Sequence, residues 1–72
     1  MPLIEMKVLE GITTEDEKQE LIERLTDAVV AVKGEPLRTH TWFLITEVQD
    51  RAWGAGGRTV SADEVNALLD TR

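Results

Sequence analysis

Pro2-Leu3-Ile4-Glu5-Met6-Lys7-Val8-Leu9-Glu10-Gly11, directly after Met1, is the stretch on which the fold of this chain turns. Over residues 2–9 it alternates: Ile4, Met6 and Val8 point one way, and Leu3, Glu5, Lys7 and Leu9 point the other. A period of two predicts a β-strand, ended by Glu10-Gly11 and followed by a short connection, Ile12-Thr13-Thr14. The first residue of the stretch has a chemistry of its own. A residue as small as proline in second place lets methionine aminopeptidase remove Met1, and the chain then begins with a prolyl secondary amine. That amine is a base and a nucleophile; an internal proline nitrogen, a tertiary amide without a proton, is neither. The plain alternative is that Pro2 simply opens a strand, a position that tolerates proline.

Thr14-Glu15-Asp16-Glu17 is a capping box, with threonine at the N-cap and glutamate three residues on. Three acids in the first turn also suit the positive end of the helix dipole. Leu21, Leu25, Ala28, Val29 and Val32 follow at helical spacing, with Ile22 beside them. Gly34 stands where a C′ glycine closes a helix, and Pro36 bars its continuation. The expected helix covers roughly residues 15–33 and is ~28 Å long. Glu17, Lys18, Glu20, Glu23, Arg24 and Asp27 read as its solvated outer face.

Residues 40–48, His-Thr-Trp-Phe-Leu-Ile-Thr-Glu-Val, are rich in β-branched and aromatic types and predict a second strand. A long helix between two strands predicts a βαβ unit with parallel strands and a right-handed crossover. Trp42, Leu44 and Val48 face one side of that strand, while Phe43 and Ile45 face the other. One helix covers one face of so small a sheet, whereas a parallel sheet apolar on both faces is normally covered on both. The pattern therefore predicts that another subunit supplies the second cover.

Residues 49–60 read as loop and hairpin, with Gly54, Gly56 and Gly57 giving the freedom that tight turns need. The sharper alternative, a phosphate-cradling loop, is argued against by the missing Gly-Lys-Ser/Thr signature and by the lack of a helix directly after the glycines. Ser61-Ala62-Asp63-Glu64 is a second capping box. It opens a short helix over roughly 62–70, with Val65, Leu68 and Leu69 on one side to dock it.

Composition narrows the classes. The 72 residues allow one domain, 1–72, and a chain this short buries only ~60% of its unfolded surface, which leaves it marginal alone. There is no cysteine, hence no disulfide and no thiolate metal site, and the single histidine, His40, excludes a multi-histidine site. A net charge of −6 argues against a nucleic-acid partner. No apolar run reaches membrane-spanning length, and Glu5 and Lys7 interrupt any signal-peptide core. The expectation is a soluble, cytoplasmic, oligomeric protein.

The start Pro-Leu-Ile-Glu-Met-Lys-Val-Leu-Glu-Gly resembles the N-terminus of the 4-oxalocrotonate tautomerase family, in the tautomerase superfamily. So do the acidic helix opening Thr-Glu-Asp-Glu-Lys-Gln-Glu-Leu-Ile, the strand ending Ile45-Thr46-Glu47 and the block Trp53-Gly54-Ala55-Gly56-Gly57. The resemblance spans residues 2 to about 57. It implies an α/β (α+β) fold: a small βαβ unit with a C-terminal hairpin, usually assembled as a hexamer, a trimer of dimers. It also implies an isomerase without metal or cofactor. The mature N-terminal proline removes a proton beside a carbonyl and returns it elsewhere on the conjugated system, interconverting keto and enol forms. Such a base must be neutral near pH 7, which takes burial and nearby positive charge. Arginines then hold the substrate's carboxylate and the developing enolate.

By that resemblance Pro2 matches the catalytic base, and Trp53 matches the aromatic residue that walls the pocket. The departures concern charge. The arginine that follows Leu-Glu-Gly in the family is Ile12 here, and the second-strand arginine falls on Trp42, or on Thr41 with a shifted gap. Arg38, just before the second strand, is the chosen substitute as substrate binder, ahead of Arg51 and Arg58, each of which also reads as an ordinary surface arginine. His40 reads as a carbonyl polariser or as a structural or surface histidine, and Trp42 as packing. The expected substrate is a small 2-oxo-acid-like carbonyl compound, less charged than a muconate. Two alternatives stay open. One is hydration, dehalogenation or decarboxylation by a cationic proline, with Glu47 or Asp50 positioning water. The other is a non-catalytic oligomeric scaffold. A homohexamer is expected, and a heterohexamer, in which a second subunit brings the missing arginines, is the alternative.

Overall fold

The computed structural model of the chain describes residues 1–70. β1, Leu3–Leu9, runs parallel to β2, Trp42–Val48, in a register that pairs Leu3 with Trp42 and Leu9 with Val48. Between them α1, Glu15–Lys33, makes the crossover. A hairpin follows, β3 (Trp53–Ala55) against antiparallel β4 (Arg58–Val60), and then α2, Ala62–Leu69. Gly56 and Gly57, both at positive φ (61° and 81°), form the two-residue turn whose twist matches that of the flanking strands.

The caps of α1 form as the sequence requires. The Thr14 hydroxyl accepts from the Glu17 N–H at 3.1 Å, while the Glu17 carboxylate accepts from the Thr14 N–H at 2.9 Å. At the other end the Gly34 N–H donates to the Val30 carbonyl at 2.8 Å, with φ at 110°. α2 keeps only one arm of its expected box: the Ser61 hydroxyl accepts from the Glu64 N–H at 3.2 Å. The next free donor, the Ala62 N–H, goes to Asp50 Oδ1 at 2.9 Å, so the loop before the hairpin caps the helix after it. Gly11 lies under α2 at φ 91°, where an added Cβ would stand 3.4 Å from the Ala62 Cβ.

Three expectations need correcting. The second strand begins at Trp42, because residues Glu35–His40 coil into a 3₁₀ helix with Pro36 in its first turn. Pro36 thus stops α1 and starts the next turn, where its fixed φ and missing N–H cost nothing. The inward stripe of α1 is rotated slightly: Leu21, Ile22, Leu25, Val29 and Val30 are half-buried, whereas Val32 is 82% exposed. Lys18 is not on the outer face either, since it is half-buried and reaches Glu47 of β2.

The two faces of the β1–β2 sheet differ sharply. Ile4, Met6, Val8, Phe43 and Ile45 share the half-buried side, the one from which Glu47 meets α1. On the opposite face Leu3, Trp42 and Leu44 are 51%, 60% and 50% exposed. Leu9 is the only buried apolar residue among the described ones. One copy of this chain has half a core, and the uncovered face is apolar at its Leu3, Trp42 and Leu44 end, as the alternation on β2 predicts.

Candidate active site

Pro2 precedes β1, and its carbonyl accepts from the Trp42 N–H at 3.0 Å, which carries the parallel ladder one step beyond the strand. The residue is half-buried, whereas Met1 is exposed. An N-terminal proline at this place has its carbonyl committed to the sheet and its nitrogen, which has no role in any ladder, available for chemistry. The amine of such a residue is fixed by the register of β1 on β2 rather than by its own side chain.

Trp53 opens the hairpin at the other end of β1. With Leu9, Ile12, Val60 and Val65 it lines a groove of about 290 Å³, to which Lys7 and Val8 also contribute. A second groove of about 310 Å³ lies on the other side of Trp53, against Lys7, Val48, Ala52 and Gly54. Lys7 borders both. From Pro2 to Lys7 is five strand residues, roughly 16 Å at the usual rise. One copy therefore does not bring Pro2 and Trp53 together; a site holding both draws them from two copies.

Arg38 lies in the 3₁₀ helix at the Pro2 end of the sheet. Its guanidinium donates from Nε to Glu35 at 2.7 Å, from a terminal nitrogen to Glu35 at 3.3 Å and from the other to Asp27 at 2.7 Å. The bonds to Glu35 and Asp27 raise the arginine's pKa further, and Glu35 is held below its ordinary range chiefly by its bond to Arg38. Two carboxylates more than balance the one cation, and the arrangement ties the 3₁₀ turn to α1. Arg51, in the turn before the hairpin, adopts a left-handed φ of 67°, and Arg58 is exposed on β4.

The remaining positions are equally definite. His40 ends the 3₁₀ helix and is exposed. Trp42 lies on the uncovered sheet face, and Ile12 forms part of the Trp53 groove. Glu47 is bonded to Lys18, which holds the Glu47 carboxyl below its usual range, and Asp50 caps α2. Both carboxylates named as water-positioning candidates thus have structural partners. Among the described residues no cluster of three histidine, cysteine, aspartate or glutamate side chains is arranged to hold a metal ion, and no helix is long and apolar enough to cross a membrane. Lys7, which the alternation sets on the face of Leu3 and Leu9, was not among the candidate residues, and the structure places it beside Trp53.

Comparison with known proteins decides the family. The model of the family described as "Tautomerase enzyme" matches residues 2–63, beginning at Pro2. The chain belongs to the tautomerase family. Solved structures agree, several of them named as 4-oxalocrotonate tautomerases or homologues of one. DmpI from Helicobacter pylori is 29% identical, with 92% of this chain and 97% of that chain covered and a TM-score of 0.70. A heterohexamer 4-oxalocrotonate tautomerase from Chloroflexus aurantiacus is 31% identical, covering 90% and 98%, with a TM-score of 0.72. TomN, a 4-oxalocrotonate tautomerase homologue in the tomaymycin biosynthetic pathway, is 33% identical, covering 92% and 95%, with a TM-score of 0.73. The comparison with curated proteins gives no match. The tautomerase fold accounts for the whole described topology: parallel βαβ unit, C-terminal hairpin and short closing helix.

Proposed function

We propose that the chain is a cofactor-free isomerase that interconverts the enol and keto forms of a small 2-oxo-acid-like substrate. The free amine of Pro2, exposed by removal of Met1, is its general base, and Trp53 walls the substrate pocket. The observation that carries this reading is the hydrogen bond from the Trp42 N–H to the Pro2 carbonyl. It fixes the one residue able to supply an amine base while leaving that amine outside the ladder. The family match that starts at Pro2 supports it.

The working site lies between copies: Pro2 of one faces the Trp53 groove of another, and the exposed Leu3, Trp42 and Leu44 provide the surface that brings copies together. A hexamer, homomeric or built with a second subunit as in the Chloroflexus aurantiacus relative, is the assembly we propose. Arg38 enters with its charge already balanced by Glu35 and Asp27, so its proposed part is to brace the turn that leads into β2 beside Pro2. Hydration or dehalogenation chemistry is less well supported, because Glu47 and Asp50 are both engaged within the chain.

The test is ketonisation of phenylenolpyruvate by protein whose mass shows Met1 removed, beside a variant with serine inserted before Pro2, whose prolyl nitrogen is then an amide, with size-exclusion chromatography on both. A loss of about 10²–10⁴-fold in an intact oligomer is expected for removal of a general base. Equal rates in the two proteins would end the proposal.

A further inference from the structure

Lys7 is a cation without an assigned role, set in the wall of an otherwise apolar groove. We propose that Lys7 holds the substrate's carboxylate, and that the substrate is a monocarboxylate with an apolar body: an aryl or branched-alkyl 2-oxo acid in its enol form. This rests on the reading of the Trp53 groove as the substrate pocket.

The distribution of cations carries the inference. Lys18 is bonded to Glu15 and Glu47, Arg24 to Glu20, and Arg38 to Glu35 and Asp27. Lys33, Arg51 and Arg58 border neither groove beside Trp53. Lys7 borders both and forms no ion pair among the described residues. Its neighbour across the ladder is Thr46, which carries no charge. The acid on its own strand face, Glu5, lies two residues away, about 7 Å along the strand, and lines neither groove. An ammonium in this setting is available to a ligand's anion.

The surroundings set the ligand's class. Leu9, Ile12, Trp53, Val60 and Val65 offer hydrocarbon and one indole ring, which favour an apolar, flat body. About 290 Å³ accommodates a phenyl-sized group, which needs ~150 Å³, together with a three-carbon acid head. One groove cation neutralises one carboxylate. Within the groove of one copy a second carboxylate would meet only Leu9, Ile12, Trp53, Val60 and Val65 and no second cation, which is costly.

The experiment is calorimetric binding of trans-cinnamate, an aryl monocarboxylate that needs no proton transfer, to the Met1-free oligomer. Cinnamyl alcohol, 4-carboxycinnamate and the variants Lys7→Gln, Lys7→Arg and Pro2→Ala are run beside it. Cinnamate should bind about tenfold more tightly than the neutral alcohol and than the dicarboxylate, the usual scale for a charge-assisted hydrogen bond. Lys7→Gln should remove that advantage for cinnamate without affecting the alcohol, and Lys7→Arg should restore it. Equal affinities of wild type for cinnamate and the alcohol, no binding of cinnamate, or an unchanged Lys7→Gln would overturn the proposal. Should Lys7→Gln fail to assemble, the comparison of acid with alcohol on wild type still decides. Lys7-dependent binding in a protein without ketonase activity would overturn the catalytic reading alone, because binding does not use the Pro2 amine.

Discussion

The backbone N–H of Trp42 donates to the carbonyl of Pro2 at 3.0 Å, so the second residue of the chain is hydrogen-bonded into the sheet as firmly as a strand residue. The hydrogen bond that ties Pro2 to the sheet is made by its carbonyl, and its nitrogen takes no part in the ladder. Structure and chemistry at this residue are therefore separable, and the separation can be measured.

A serine inserted between Met1 and Pro2 leaves the Pro2 carbonyl on Trp42 but turns the amine into a tertiary amide. Oligomer size and melting temperature should match wild type, while ketonisation of phenylenolpyruvate should fall by about 10²–10⁴-fold. Mass spectrometry of each sample confirms which N-terminus is present. An inserted variant as active as wild type would remove the amine from the mechanism.

The uncovered sheet face predicts assembly. Leu44, two residues beyond Trp42 on the same face, is 50% exposed, and burying the uncovered half of its side chain contributes about 1 kcal/mol per copy. Leu44→Asp places a charge in that interface and should shift the light-scattering mass downward, towards that of a single chain. It should abolish ketonisation too, although Pro2 and Trp53 are untouched, because the proposed site draws on two copies. An active monomer would contradict the shared site.

The Lys18–Glu47 pair joins α1 to β2 and predicts a pH dependence. The bond from Lys18 lowers the pKa of Glu47, and the bonds to Glu47 and then Glu15 raise that of Lys18. A depressed carboxylate stabilises the fold above its unfolded pKa and loses that contribution as pH falls through the folded value. A raised lysine contributes below its unfolded value and loses it only in strong alkali. Melting temperatures of wild type and Glu47→Gln should therefore differ at neutral pH and converge as the pH drops below about 4. A constant difference across that range would show that the pair does not act through charge.

Much of this was legible in the residues themselves. The period-two run over 2–9, the Thr14 box and Gly34 place β1 and α1 to within a residue, because capping and alternation are local rules. The mismatch of Trp42 and Leu44 against Phe43 and Ile45 foretold a sheet face without cover, since strand parity alone assigns residues to faces. The ties that cross between elements were not legible. Nothing local tells Lys18, set in a run of charges on a helix, that Glu47 waits 29 positions later. Asp50 as the acceptor for Ala62, and the 3₁₀ turn that takes Arg38 to Asp27, likewise depend on how the elements come together. Arg38 drew attention by its nearness in sequence to a missing arginine, and sequence distance says nothing of which carboxylates lie within reach.

Arg38 is where this difference can be tested most directly. Its three side-chain nitrogens are bonded to Glu35 and Asp27, which makes it a brace between the 3₁₀ turn and α1. Arg38→Gln should lower the melting temperature, and Asp27→Asn should lower it in the same direction, with the double variant falling short of the sum because the two share one interaction. The KM for phenylenolpyruvate should remain within about twofold of wild type in Arg38→Gln, whereas loss of a charged contact to substrate raises it by about tenfold. A tenfold rise in KM with an unchanged melting temperature would return Arg38 to the substrate, and would mean that assembly of the subunits frees its guanidinium from Glu35 and Asp27.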